Sequence, residues 1–120
     1  AMNTIQIKGV EYSFIFGRRN LARLMKKYKV TKLMEIERAV ASIEIDDVPD
    51  LLLWGIQNAA KLESEECNVT KEDCEDALDR DMGIMMDVIN FISSEISRSP
   101  ELEEDEEEAE EDKKKPMFKP

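Results

Sequence analysis

The side chains best suited to chemistry in this chain are carboxylates, which crowd together just after Thr70. They are Glu72, Asp73, Glu75, Asp76 and Asp79. Clustered carboxylates could hold a hard cation, but a calcium loop needs alternating acids around a central glycine and a distant glutamate. That spacing is missing here. We therefore expect a solvated helix surface and no bound metal.

The remaining residues offer little support for acid–base or nucleophilic catalysis. The chain has no histidine, and its two cysteines, Cys67 and Cys74, lack the partners of a tetrahedral zinc site. No glycine-rich phosphate loop precedes a helix, and the acidic pairs lie in polar runs rather than in a cleft that would raise one pKa. We expect a non-catalytic protein with no cofactor.

Charge is distributed unevenly along the chain, whose net charge is −11. Residues 1–38 carry nine basic and three acidic side chains, whereas residues 39–97 carry three basic and fifteen acidic ones. Overall acidity argues against nucleic acid as the main partner. Basic and acidic surfaces of this kind can instead satisfy each other within the fold or between copies of the chain.

Part of the basic charge forms a stripe on the predicted first helix. The basic stripe is defined here as Arg19, Arg23, Lys26 and Lys27. Such a stripe can bind phosphates, but no aromatic residue or glycine-rich loop interleaves the bases along the sequence, as single-strand binding would require. We expect a solvated or protein-facing stripe that supports self-association into a homo-oligomer.

The elements that position these residues are organised around residues 48–62, which are apolar around nearly the whole circumference of a helix. Such a helix must be surrounded by other elements. Asp46 and Asp47 are candidates to cap it, and Pro49 suits its first turn. Further amphipathic helices are predicted over residues 18–28, over residues 31–43, from Thr70 onward and over residues 82–96.

Two short strands are predicted ahead of the helices. They cover residues 4–7 and 10–16 and flank a two-residue turn at Lys8 and Gly9. The sequence therefore predicts a mainly α fold: about five helices around a central apolar helix, with an N-terminal β-hairpin. We assign residues 1–97 to this single domain, since 120 residues suffice for one core.

The last residues, 98–120, depart from this pattern. Glu101–Asp112 holds ten acids in twelve residues, and three consecutive lysines follow. Such a sequence cannot bury enough apolar surface to offset the entropy of ordering, so we predict a disordered tail. No apolar run in the chain is long enough to cross a membrane and no leader begins it, which predicts a cytoplasmic protein without a membrane partner.

The order of these pieces resembles that of the tail assembly chaperones of long-tailed bacteriophages, particularly phages and prophages of Gram-positive hosts. The resemblance covers residues 3 to about 96. It is carried by Phe14-Ile15-Phe16-Gly17, the basic helix reaching Tyr28, Leu51-Leu52-Leu53-Trp54-Gly55, Thr70-x-Glu72-Asp73 and Ala77-Leu78-Asp79.

The resemblance implies a protein that acts in the host cytoplasm during tail assembly and is absent from the finished virion. It would bind the long tape measure protein, keep it soluble, and help gather tail tube subunits around it. Many members of the family also occur as a longer form made by ribosomal frameshifting. The run Lys113-Lys114-Lys115 is compatible with a slippery codon stretch.

No motif of the family dictates the contact residues, so these are predicted from the pattern of the chain. Met85, Met86 and Phe91 are candidates for exposed apolar contacts with the client, and the basic stripe is the candidate for self-association. Methionines on the last helix could also fill gaps in the core, which is the more ordinary use.

A second hypothesis about function, of a different class, rests on the same acidic residues. In it, residues 63–81 and 101–112 would imitate phosphates and block a DNA-binding enzyme, as an acidic regulatory or nucleic-acid-mimic protein does. The two hypotheses differ in the partner, which is a helical, partly apolar client in the first and a basic protein in the second.

Overall fold

The computed structural model describes residues 3–97. The predicted disordered tail at residues 98–120 lies outside these residues, as do the first two residues of the predicted domain. Two strands come first and five α-helices follow, with a short 3₁₀ turn before the second helix and another before the third. The predicted mainly α architecture with an N-terminal hairpin is confirmed.

Strands β1 (Asn3–Ile7) and β2 (Val10–Phe14) form an antiparallel hairpin. Lys8 and Gly9 connect them with φ values of 54° and 78°, the left-handed pair that a tight two-residue turn requires. The second strand is shorter than predicted. Ile15 leaves the sheet, because its N–H donates to the carbonyl of Gly55, 3.2 Å away on a helix.

The five helices are α1 (Gly17–Lys27), α2 (Ile36–Ala41), α3 (Val48–Leu62), α4 (Lys71–Arg80) and α5 (Gly83–Ser97). Helix α3 has the predicted bounds and packs against β2, α1, α4 and α5. Three of its side chains, Leu51, Leu52 and Ile56, are among the most deeply buried residues. The prediction of a central helix surrounded by the other elements is confirmed.

The second helix differs most from the prediction. Only six residues are α-helical, and a 3₁₀ turn at Leu33–Glu35 precedes them. Thr31, where the predicted helix begins, does not cap this segment; the residue at its N-terminal cap is Lys32. Leu33 and Met34, which lie within the predicted amphipathic helix, are exposed. A second 3₁₀ turn, Ile45–Asp47, leads into α3.

Caps at the ends of two helices tie the elements together. Thr70 and Asp73 form a reciprocal capping box at the start of α4, which begins after Thr70 as the sequence predicts. The start of α1 has no side-chain cap from its own N-cap residue, Phe16. Its N–H groups are bonded by Glu95, from α5. The first and last helices are thereby held against each other.

Across residues 3–97, no helix has both the length and the apolar character needed to cross a membrane.

Candidate functional site

The predicted client residues lie on two different sides of α5. Phe91 is half-buried, and its ring centroid lies 5.7 Å from that of Phe14 in the core. It shares this side with Ile84 and Val88, which precede it by seven and three residues and are buried. The expectation of an exposed Phe91 was wrong, because the ring covers the hairpin. Phe91 belongs to the core packing.

The other side of α5 carries a second apolar stripe. Met82, Met85, Ile89 and Ile96 recur at helical spacing, and Met86 lies beside them. Met82 and Met86 are 68% and 60% exposed. Met85, which was expected to be exposed, is half-buried and packs against the core. Helix α5 therefore packs one stripe into the core and leaves much of the other accessible.

Two depressions flank this second stripe. The larger, of about 500 Å³, lies between the N-terminal part of α5, the start of α3 and α4. Its apolar lining includes Ile45, which is 73% exposed. The residues that line it are Ile45, Asp46, Pro49, Lys71, Glu75, Leu78, Asp79, Met82 and Met85.

The smaller depression, of about 320 Å³, lies between α2 and the C-terminal part of α5. Its residues are Glu37, Val40, Ala41, Ile89, Ser93, Ile96 and Ser97. Met85 in the first depression and Ile89 in the second are one helical turn apart on the same side of α5. The two depressions share no lining residue, and we refer to the pair as the α5 groove.

The larger depression has an acidic rim formed by Asp46, Glu75 and Asp79. Lys71 also lines it, but its ammonium group lies 3.4 Å from the carboxylate of Asp50. That pairing offsets the positive charge of Lys71. The groove therefore combines an apolar floor, rich in methionine, with a net negative edge.

Such a groove can accept an amphipathic helix or an extended apolar segment. Helix-in-groove recognition places apolar side chains from successive turns of one partner into a hydrophobic channel of the other. Methionine side chains are unbranched and polarisable, so they adapt to partners of different shape. Of the predicted residues, Met85 lines the larger depression, and Met86, on the next position of α5, lines neither.

The basic stripe of α1 is exposed, but two of its four members already have partners. The guanidinium of Arg23 lies 3.7 Å from the ring centroid of Trp54, a cation–π contact. The ammonium of Lys27 lies 3.3 Å from the carboxylate of Asp47. Arg19 and Lys26 form no ion pair with another described residue. They are therefore the members best placed to meet an external partner.

The pairing of Arg23 with Trp54 could not be found from the sequence of the basic segment. No aromatic residue alternates with the bases along α1, and Trp54 comes from α3. The ring of Trp54 also stacks on Phe16, with centroids 6.4 Å apart. One arginine stacked on one aromatic ring is not the row of alternating basic and aromatic residues that binds single-stranded nucleic acid.

The carboxylate of Asp47 joins the end of α1 to the start of α3. It accepts hydrogen bonds from the hydroxyl of Tyr28 and the N–H of Glu44, besides pairing with Lys27. Burial alone would raise the pKa of Asp47, but these bonds outweigh it and hold the pKa below 3.8. Burial and the bond to Asp47 raise the pKa of Tyr28 to about 12. These contacts of Asp47 hold in place the 3₁₀ turn Ile45–Asp47, on which the side chain of Ile45 is exposed.

A third depression, of about 490 Å³, lies beside β2 and the end of α3. Four glutamates line it: Glu11, Glu63, Glu65 and Glu66. This acidic surface is suited to a basic partner, as the nucleic-acid-mimic hypothesis requires.

The two cysteines differ in accessibility. Cys74 is buried in the core, and burial raises the pKa of its thiol to about 12. Such a thiol stays protonated at neutral pH and packs as a small apolar group. Cys67 is half-buried beside the acidic depression. Within residues 3–97, no three or more acidic, histidine or cysteine side chains are grouped to hold a metal ion.

Comparison with known proteins gives no match to any family model, curated protein or solved structure.

Proposed function

We propose that this chain is a non-catalytic tail assembly chaperone of a long-tailed bacteriophage. It binds apolar helical segments of the tape measure protein, keeps that protein soluble in the host cytoplasm, and helps recruit tail tube subunits. It then leaves the assembling tail and is absent from the virion. A longer frameshifted form would supply the contact with the tail tube protein.

The observation that carries this proposal is the accessible second stripe of α5. Met82 and Met86 are left 68% and 60% exposed, and Ile45, which lines the larger depression with Met82, is 73% exposed. Exposed apolar side chains grouped around a groove are typical of protein-binding surfaces. A tape measure protein is a long helical client, and a groove that accepts successive turns of a helix suits it.

Self-association supports the same function, since one long client needs many copies of a small chaperone. The basic stripe and the acidic surface of α4 and the α3–α4 loop give each copy two faces of opposite charge. Contacts between unlike faces of identical subunits run head to tail and can continue along a filament. We propose that Arg19 and Lys26 make such contacts, with the acidic face of the next copy opposite them.

The acidic depression lined by Glu11, Glu63, Glu65 and Glu66 favours a second candidate function. In this alternative, the chain is a regulatory protein that imitates nucleic acid and occupies a DNA-binding enzyme. Its complex should weaken steeply with added salt and be displaced by DNA. Binding through the α5 groove should instead be largely insensitive to DNA, since most of that contact is apolar.

The proposal is tested by affinity capture from cells that express the whole tail gene cluster. Tagged chain is recovered, and mass spectrometry identifies the proteins in the eluate and in purified particles. Capture of the tape measure protein, together with absence of this chain from particles, is the expected result. Capture of a DNA-binding enzyme, or of no tail protein, would contradict the chaperone function.

A further inference from the structure

The acidic end of the α5 groove fits an occupant that is both apolar and basic. Its floor offers Met82, Met85 and Ile45, while Asp46, Glu75 and Asp79 surround that floor with negative charge. A purely apolar helix would leave these carboxylates without partners. A segment with lysines next to large apolar side chains would satisfy both parts of the surface.

The chain itself contains such a segment after α5. Residues 113–120 have the sequence Lys-Lys-Lys-Pro-Met-Phe-Lys-Pro, with four lysines, two large apolar residues and no acid. Met117 and Phe118 are adjacent, and lysines stand on both sides of them. The two prolines remove backbone donors and disfavour a regular helix, so the segment suits short insertion into a depression rather than long helical packing.

The connection is long enough for this segment to reach the groove. From Met82 to Ser97, α5 covers about 22 Å at 1.5 Å per residue. The fifteen residues from 98 to 112 cover a similar distance if helical and up to about 50 Å if extended. The extended connection is long enough for the chain to reverse direction after Ser97 and bring Lys113 back to the N-terminal end of α5.

We propose that residues 113–120 dock in the acid-rimmed depression of the α5 groove of the same chain, with Met117 and Phe118 against Met82, Met85 and Ile45. The lysines face Asp46, Glu75 and Asp79. The segment then covers the apolar floor until a client displaces it.

This inference shares the groove with the proposed function but does not depend on the client's being a tape measure protein. When the chain's own segment occupies the groove, a client can bind only the molecules whose groove is open. The apparent affinity for any client therefore falls in proportion to that open fraction. A tethered segment also competes at a high effective concentration, although its intrinsic affinity for the groove is modest. The docked segment would keep the chaperone from binding unrelated apolar surfaces.

The test uses the full chain without any client. A spin label is attached at Pro120→Cys in a Cys67→Ser background, and the methionine methyl groups are labelled for NMR. Cys74 stays unlabelled because its side chain is fully buried. We expect the Met82 and Met85 methyl signals to lose most of their intensity through paramagnetic broadening, while that of Met34, on the 3₁₀ turn at Leu33–Glu35, keeps its intensity.

A second variant separates specific docking from a nonspecific encounter. Met117→Ser/Phe118→Ser should restore the Met82 and Met85 signals, whereas the matched change Leu102→Ser should leave them broadened. Equal broadening of Met34, or broadening that survives Met117→Ser/Phe118→Ser, would overturn the proposal. Mixing spin-labelled chain with methyl-labelled chain gives the remaining control, since broadening between molecules would assign the groove to a second copy instead. Failure here leaves the affinity-capture test of the chaperone function unaffected.

Discussion

The carboxylate of Glu95 caps helix α1 at Gly17, although 78 residues separate the two in sequence. One oxygen accepts the N–H of Phe16 at 2.7 Å, and the other accepts the N–H of Gly17 at 3.0 Å. The first N–H groups of a helix have no partner within the helix, and a negative charge at this end also suits the helix dipole. A single side chain of the last helix, α5, thus holds the first helix, α1, against it.

Replacing Glu95 by alanine should lower the free energy of unfolding by about 2 kcal/mol, because two N–H groups lose a charged acceptor. Urea denaturation measures the change. Ser94→Ala, at the exposed neighbouring position, is the matched control and should shift the midpoint little. Equal midpoints for the two variants would show that Glu95 does not hold α1 in place.

Gly55→Ala tests the packing of β2 on α3. A methyl group at Gly55 would overlap the ring of Phe14, which is fully buried and has no space to move. Alanine normally favours a helix over glycine by about 1 kcal/mol, but the overlap should reverse the sign and destabilise the protein by about 2–3 kcal/mol.

Thermal unfolding of the double variant Gly55→Ala/Phe14→Leu checks whether overlap with the Phe14 ring causes the destabilisation. The smaller side chain at residue 14 should recover part of the loss, which gives a coupling between the two sites. Gly83→Ala, whose added methyl group would meet only the exposed Asp81, is the control. Additive losses in the double variant would contradict a direct clash.

The features predicted correctly from the sequence are those determined by local patterns of residues. The bounds of α3 follow from an apolar circumference with Pro49 in its first turn, and the hairpin turn follows from Lys8 and Gly9 between two strands. The contact of Glu95 with Gly17 has no local signature, since a glutamate on an amphipathic helix is ordinarily solvated. Long-range polar contacts of this kind need the tertiary arrangement.

The misplaced residue Phe91 illustrates a second limit. Helix α5 carries two apolar stripes, and helical periodicity shows that both exist without showing which one meets the core. Close packing of Phe91 with Phe14 decides the question. The groove itself was also beyond the sequence, because Ile45 and Met82 come together only through the path of α3 and α4.

Asp47 should make stability depend on pH in the acidic range. Its pKa is lowered in the folded protein, so its contribution is complete above the ordinary value near 3.8 and is lost as pH falls through the folded-state pKa. Asp47→Asn should cost about 1 kcal/mol at pH 7, and the difference from wild type should shrink below pH 4. Urea titrations from pH 7 to pH 2 measure this; an exposed neighbour, Asp46, supplies the control variant Asp46→Asn. A difference that persists at the lowest pH would rule out the ionised carboxylate as its source.

The basic stripe should act in self-association through Arg19 and Lys26. Charge reversal at both positions should reduce any oligomer seen by light scattering at low salt, and added salt should have the same effect on wild type. Lys61→Glu, an exposed change on α3, controls for net charge alone. If reversal at Arg19 and Lys26 leaves the mass distribution of wild type unchanged, the stripe does not join subunits.

The most direct test of the proposed chaperone function is a solubility assay with helical segments of the tape measure protein proposed as its client. Wild type should keep the client in the supernatant, and Met82→Ser/Met85→Ser should bind it about tenfold more weakly, since two apolar anchors are lost. Met34→Ser removes a methionine that is 87% exposed and lines neither depression, so this variant should behave as wild type. Full activity of Met82→Ser/Met85→Ser, with its fold verified by circular dichroism, would contradict client binding in the α5 groove.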